Sequence, residues 1–139
     1  MRILGLDLGS KRIGLALSDE LGIIAQGLST LSRISPETDF QQLLEIATQH
    51  KVEKIVVGFP KNMDGTIGKA AQDVLEFIQN MEKLTSIPIE VWDERLSTIA
   101  VNRTLIEANT SRRRRKKVVD KLAAVYILQG YLDRAKHSP

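Results

Sequence analysis

The sequence contains no cysteine and only two histidines, His50 and His137, and these absences narrow the chemistry open to it. Without cysteine, disulfides and thiolate metal ligands are excluded, and two histidines offer little for a histidine-based site. Any metal ion that this chain binds would therefore need oxygen ligands.

Long hydrophobic runs are also missing. The composition, 42% hydrophobic and 27% charged, is typical of a globular protein, and no apolar run is long enough to cross a bilayer. No basic leader with a small-residue cleavage site precedes the first predicted strand, so we expect a cytoplasmic protein without a membrane role. The length of 139 residues predicts a single domain over 1–139 that can bury a core without disulfides.

Positive charge is concentrated in a basic strip, the six consecutive cations from Arg112 to Lys117. Outside this strip, 14 Lys and Arg stand against 17 Asp and Glu, so the rest of the chain is mildly acidic. The strip has two interpretations: a solvated mobile loop, or an arm that binds phosphates and releases their counterions. Its position relative to an acidic site should decide between them.

Hydrophobic periodicity predicts the element order βββαβαβαα. Three antiparallel strands come first, and the segment "GSKR" forms the turn between the first two. The next helix has Ser35 as its N-cap and Pro36 at its first position. The predicted strands are 2–8, 13–18, 23–31, 54–59 and 87–94, and the later helices are 69–84, 98–108 and 117–135. The fold class is α/β: a mixed five-stranded sheet, three antiparallel strands then two parallel, flanked by helices.

Acidic residues lie near the ends of the predicted strands and in the last helix, namely Asp7, Asp93, Glu94 and Asp120. Ligands of α/β sheets collect at the carboxyl ends of parallel strands. Asp7 is the hardest to explain structurally, because strands disfavour Asp and burying an unpaired carboxylate is costly. Alternatives stay open for the others: Asp120 as a helix N-cap, and the Asp93–Glu94 pair as a polar strand end that pairs with Arg95.

A divalent cation would be an economical partner for several such carboxylates. Mg²⁺ prefers hard oxygen ligands and commonly binds one or two carboxylates together with substrate phosphates. Two such ions, about 3.5–4 Å apart, can activate a water and stabilise the leaving oxygen of a phosphodiester. We therefore expect a metal at Asp7, with Gly5 and Gly9 leaving room for its close approach.

Four motifs carry a family resemblance: "DLGSKRIGLALSD" (7–19), "VVGFPKNMDGT" (56–66), "DERLST" (93–98) and "VDKLAAVYILQGYL" (119–132). In this order they resemble the YqgF family, also called RuvX or Holliday-junction-resolvase-like proteins, over essentially the whole chain. The resemblance implies an RNase H-like fold and a metal-dependent nuclease site that uses Mg²⁺ or Mn²⁺. The family is associated with 5′-end maturation of 16S ribosomal RNA, and fold analogy first suggested Holliday junction resolution.

The resemblance also implies roles for individual residues. The catalytic and metal-binding acids would be Asp7, Glu94 and Asp120, with Asp93 ranked behind Glu94 as a metal ligand. The nucleic-acid backbone would contact Lys11, Arg12, Asp64, Gly65 and Arg95. The basic strip (Arg112, Arg113, Arg114, Arg115, Lys116 and Lys117) would form a mobile cationic loop three residues before Asp120 that clamps a phosphate chain. Since aromatics are only 4%, recognition should depend on backbone and shape more than on base stacking.

Three functions therefore remain in view. The favoured one is a hydrolase that matures the 5′ end of pre-16S rRNA, with the small-subunit precursor as its partner. The others are a resolvase of branched DNA and a non-catalytic RNA-binding factor in ribosome biogenesis. The first hairpin also resembles the phosphate loop of actin-like ATPases, but those proteins need two such domains, and this sequence contains neither a Walker A nor a GxGxxG motif.

Overall fold

The structure is a computed structural model that describes residues 1–62, 64–96 and 112–136; for Leu96, residues 112–120 and Lys136 it describes the backbone alone. Its strands are β1 (Arg2–Leu8), β2 (Arg12–Ser18), β3 (Ala25–Ser32), β4 (Val52–Phe59) and β5 (Ile89–Asp93). Its helices are α1 (Pro36–Gln49), α2 (Lys69–Glu82) and α3 (Arg112–Lys136), and a 3₁₀ turn covers Glu94–Leu96. The helix predicted at 98–108 lies outside the described residues.

The strands form one sheet in the order β3-β2-β1-β4-β5. β2 is antiparallel to β1 and to β3, whereas β4 is parallel to β1 and β5 is parallel to β4. The predicted mixed sheet is confirmed. The carboxyl ends of β1, β4 and β5 therefore meet at one end of the sheet, which is the end that a site can use.

Local hydrogen bonds set two of the element boundaries. Ser35 caps α1 as predicted, because its Oγ accepts from the Thr38 amide at 3.3 Å. β3 begins at Ala25 rather than at residue 23. The Asp19 carboxylate accepts from the amides of Ile23 and Ile24 at 2.7 and 3.2 Å, which holds both residues in the turn before the strand.

The two faces of the sheet carry separate cores. α1 and α2 cover one face, where Leu4 and Leu6 of β1 are fully buried. α3 covers the other face and packs its apolar residues against Ile3, Ala16, Val56 and Trp92. Side chains along β1 alternate between these cores, so its odd-numbered residues face α3. No helix in the described part of the chain is both long and apolar enough for a membrane span.

The basic strip is helical, which corrects the predicted cationic loop. α3 begins at Arg112 rather than at residue 117, so the strip forms its first turns. Arg and Lys are good helix formers, and no Gly or Pro interrupts residues 112–117. The same boundary makes the N-cap interpretation of Asp120 wrong, because residue 120 lies inside the helix, two turns from its start.

Glycines allow α3 to approach the sheet closely. A Cβ at Gly5 would lie 2.8 Å from the Leu128 Cβ, and a Cβ at Gly58 would lie 2.5 Å from the Ile127 Cδ1. The expectation that Gly5 leaves room for a metal is therefore wrong, since its open side is filled by α3. Gly5 serves the docking of the helix instead.

Candidate active site

Asp7 lies near the carboxyl end of β1 on the face that α3 covers. It follows Ile3 and Gly5 on the odd-numbered side of the strand, and it is half-buried. In the ladder between β1 and β4, the last paired positions are Leu6 and Val57. One residue further, the two strands reach Asp7 and Gly58, so Gly58 is the neighbour of Asp7 across the sheet.

Glu94 places a carboxylate oxygen at this point. A Cβ built on Gly58 would lie 3.2 Å from the Glu94 Oε1, so the carboxylate sits over Gly58 on the α3 face. Glu94 opens the 3₁₀ turn directly after β5, and β5 pairs with β4 through Trp92 and Gly58. The sheet thus brings Asp7 and Glu94 to the same face and the same end. A side chain at position 58 would meet the Glu94 carboxylate and Ile127.

Asp93 forms an ion pair with Arg95. Its carboxylate accepts from the Arg95 guanidinium, with Nη2 to Oδ2 at 2.7 Å and Nε to both oxygens at 3.1 Å, and from the Arg95 amide at 3.0 Å. These hydrogen bonds lower the pKa of the Asp93 carboxyl from its ordinary value. The alternative that this strand end pairs with Arg95 is confirmed for Asp93.

The backbone of α3 brings residue 120 toward this end of the sheet. The Gln129 side chain bonds the start of β3, accepting from the Ala25 amide at 2.8 Å and donating to the Ile23 carbonyl at 2.9 Å. Lys121 lies over Gly27, which is two residues after Ala25 in β3. Because β3 runs in the same direction as β1, this position is closer to the carboxyl end of β1. The N-terminal half of α3 therefore extends toward the end that carries Asp7. Residue 120 is placed there by its backbone; its side chain is outside the described residues.

The turn between β1 and β2 carries Lys11 and Arg12 just beyond Asp7. The Gly9 amide donates to the Arg12 carbonyl at 2.9 Å and closes the turn, which leaves Lys11 exposed. A Cβ at Gly9 would lie 2.6 Å from that carbonyl oxygen. The expectation that Gly9 makes room for a metal is therefore wrong, because the close approach that it permits is the turn's own hydrogen bond.

The loop after β4 holds Asp64 and Gly65 next to Arg95. Asp64 accepts from the Thr66 hydroxyl at 2.6 Å and from the Thr66 amide at 3.0 Å, which lowers the pKa of its carboxyl. Gly65 has a φ of 88°, which favours glycine, and a Cβ there would lie 3.5 Å from the Arg95 Nη1. Arg95 thus lies between Asp93 and this loop, at the rim of the candidate site.

The described residues bring together part of the predicted set of metal-binding acids. Asp7 and Glu94 share one face, while Asp93 pairs with Arg95 instead. Among the side chains that the structure describes, no group of three metal-binding residues occurs. Sequence reasoning missed Gly58, which makes room for the Glu94 carboxylate. A glycine inside the apolar run "KIVVGF" was the available signal. It also missed Arg33, which donates to the Gly9 carbonyl at 2.8 Å.

Comparison with protein families gives one assignment for nearly the whole chain. The family model described as "RuvX: Holliday junction resolvase" matches residues 1–134. A protein of Clostridium kluyveri is 55% identical over 134 residues, which cover 96% of this chain and 98% of the relative. A protein of Thermoanaerobacter pseudethanolicus is 52% identical over 138 residues, 99% of each chain. Both relatives carry the name "Putative pre-16S rRNA nuclease".

Solved structures show the same fold at low sequence identity. The RuvC of T. thermophilus in complex with a Holliday junction substrate superposes with a TM-score of 0.61 at 13% identity, covering 99% of this chain and 98% of RuvC. The fowlpox virus Holliday junction resolvase gives a TM-score of 0.54, also at 13% identity, covering 96% and 99%. These likenesses confirm the predicted RNase H-like fold.

Proposed function

This chain belongs to the RuvX family, and from that premise we propose that it is a metal-dependent nuclease that hydrolyses phosphodiester bonds in pre-16S rRNA. The observation that carries the proposal is the position of the Glu94 carboxylate over Gly58, on the same face of the sheet as Asp7. Two carboxylates at the carboxyl ends of neighbouring strands form the core of the proposed site. Such a substrate would be met in the bacterial cytoplasm.

The donor chemistry of this pair fits Mg²⁺ or Mn²⁺. Ionised carboxylates are hard oxygen ligands, and a chain without cysteine offers no thiolate to attract softer ions. Asp7, Glu94 and Asp120 would hold the metal, and Asp93 is the weaker candidate because Arg95 already binds both of its oxygens. When bound, the metal supplies the positive charge that activates water and neutralises the leaving oxygen.

The cationic residues of this chain would bind and orient the RNA backbone. Lys11 and Arg12 lie on the turn beyond Asp7, and Arg95 lies at the rim next to Asp64 and Gly65. The basic strip, residues 112–117, opens the helix that carries Asp120. Cations near an acidic pair would hold a polyanion there despite the repulsion from the carboxylates.

The first test is cleavage of a 5′-extended 16S precursor RNA and of a four-way DNA junction, with Mg²⁺ or Mn²⁺. We expect metal-dependent RNA cleavage that falls by at least about a hundredfold in Asp7→Asn and in Glu94→Gln, because each substitution removes charge from the site. The matched control is Asp93→Asn, which makes the same type of change one residue away. It should lose much less activity than Glu94→Gln, mainly through weaker RNA binding, because Arg95 loses its partner.

Each other outcome contradicts part of the proposal. Cleavage of the junction alone would favour DNA resolution, which the family description names. If the wild-type protein binds both substrates and cuts neither, the nuclease proposal is wrong and a binding factor for ribosome assembly fits better. If Asp93→Asn is as inactive as Glu94→Gln, the proposed division between the two acids is wrong.

A further inference from the structure

Arg33 connects the turn between β1 and β2 to α1 and α2, the helices on the sheet face opposite α3. Its Nη1 donates to the Gly9 carbonyl at 2.8 Å, and its Nε lies 3.7 Å from the Asp39 Oδ2 of α1. Its guanidinium carbon lies 5.8 Å from the centre of the Phe77 ring of α2. One planar, permanently charged group therefore spans three elements, a geometry that suits arginine and that lysine cannot reproduce.

Asp39 gives this arginine a buried counter-charge. Asp39 is 2% exposed, and its Oδ1 accepts from the Ile34 amide at 3.0 Å. It also lies in the first turn of α1, where the helix dipole favours a negative charge. Because a buried carboxylate without a cation would be costly, the pair favours a guanidinium that stays beside Asp39.

The turn that Arg33 holds lies two residues beyond Asp7. The Gly9 carbonyl faces Arg33, while the Gly9 amide closes the turn onto the Arg12 carbonyl. The Arg33 backbone amide also donates to the Lys11 carbonyl at 2.9 Å. Contacts made by Arg33 thus hold the turn that carries Lys11 and Arg12, and with it the end of β1.

We propose that Arg33 is a positioning residue: anchored on Asp39, it holds the Gly9 carbonyl and thereby fixes Asp7, Lys11 and Arg12 against the bound phosphodiester. This inference rests on the proposed nuclease function. Arg33 would act through the turn and not by direct contact with the metal or the scissile phosphate. Its contribution is to keep the turn in one conformation, so that the carboxylate and the cations meet the substrate without rearranging.

The test compares Arg33→Met, Arg33→Lys and Phe77→Leu in the full-length protein. Hydrogen exchange of the Gly9 amide reports the turn, and the Leu43 amide in α1 reports the core. In Arg33→Met, we expect exchange at Gly9 to accelerate by at least about tenfold and by more than at Leu43, because a charge-assisted hydrogen bond to the turn is lost. Any acceleration at Leu43 measures the cost of leaving Asp39 without its cation. Arg33→Lys should be intermediate, and Phe77→Leu, which keeps the hydrogen bond, should resemble the wild type at Gly9.

Steady-state kinetics on the precursor RNA separates positioning from substrate binding. We expect Arg33→Met to lower kcat by about tenfold with KM within about twofold of the wild-type value, and Arg33→Lys to recover part of kcat. The inference is wrong if Gly9 exchange is unchanged in Arg33→Met, or if exchange accelerates while kcat stays at the wild-type value. If the wild-type protein cleaves nothing, the nuclease proposal fails separately, and unchanged Gly9 exchange would still refute the inference.

Discussion

Two adjacent acids, Asp93 and Glu94, differ in what holds them. Arg95 binds both oxygens of Asp93, whereas the Glu94 carboxylate lies over Gly58 on the α3 face. The sequence "DER" could not separate these roles, because either acid might end the strand and either might pair with the arginine. The fold separates them, since a side chain's direction at a strand end depends on where the strand stops and the 3₁₀ turn begins.

The Asp93–Arg95 pair predicts a specific dependence of stability on pH. Hydrogen bonds from Arg95 lower the pKa of Asp93 in the folded state below its ordinary value of 3.8. A depressed pKa contributes stability that is complete above the unfolded value and is lost as pH falls through the folded value. Asp93→Asn should therefore be slightly less stable than the wild type at pH 7, and the difference should shrink below pH ~4.

Urea unfolding of four proteins at pH 7, 5, 4 and 3 measures this difference: the wild type, Asp93→Asn, Arg95→Gln and the double variant. The two single variants should lose stability with the same pH dependence, and the double variant should lose less than their sum. A gap between the wild type and Asp93→Asn that stays constant from pH 7 to pH 3 would show that Arg95 does not perturb this carboxyl.

At the scale of elements, the sequence predicted the start of one helix correctly and the start of another incorrectly. Ser35 and Pro36 predicted the start of α1 correctly, because a hydroxyl N-cap and a proline at the first position are local signals. The start of α3 was missed by five residues. A run of six cations is typical of a solvated loop, yet Arg and Lys also favour helices, and composition alone does not choose between them.

Docking of α3 also required information that no pattern supplies. Gly5 was expected to leave room for a metal. Its actual use becomes visible only in the fold, where the Cβ of Leu128, far along the chain, would lie 2.8 Å from a Cβ built on Gly5. The sheet order followed from strand patterns, whereas the close approach of the helix follows from packing between distant residues. Contacts of this kind are the part of the candidate site that sequence could not give.

Gly58→Ala tests the link between helix docking and the candidate site. The added Cβ would lie 2.5 Å from the Ile127 Cδ1 and 3.2 Å from the Glu94 Oε1, so we expect a loss of about 1–3 kcal/mol in the free energy of unfolding. Adding Ile127→Val removes Cδ1 and should restore part of the stability. The contact with Glu94 remains, so cleavage should stay impaired in the double variant.

Gly5→Ala is the matched control for this experiment, because its contact is with the Leu128 Cβ. Leu128→Ala keeps that atom, so it should not relieve Gly5→Ala in the way that Ile127→Val relieves Gly58→Ala. Equal behaviour of the two pairs in chemical denaturation would contradict the packing described. Recovery of full cleavage in Gly58→Ala/Ile127→Val would contradict the contact between position 58 and Glu94.

Over the whole molecule, positive charge is concentrated in the basic strip that opens α3, and the rest of the chain is mildly acidic. Such a division predicts where a polyanion approaches: at the end of the sheet that carries Asp7 and Glu94, along the first turns of α3. Binding through phosphates releases counterions, and the slope of log K against log salt counts the phosphates that are neutralised.

Arg113→Gln with Arg114→Gln should make that slope shallower by about 1.4 to 1.8, if each side chain neutralises one phosphate. Lys51→Gln with Lys83→Gln is the charge-matched control, since both lysines are exposed, one just before β4 and the other at the end of α2. Its slope should equal that of the wild type in filter binding of the precursor RNA at several salt concentrations. Equal changes in the two variants would mean that net charge alone sets affinity, and a polyanion would then have no preferred path across the protein.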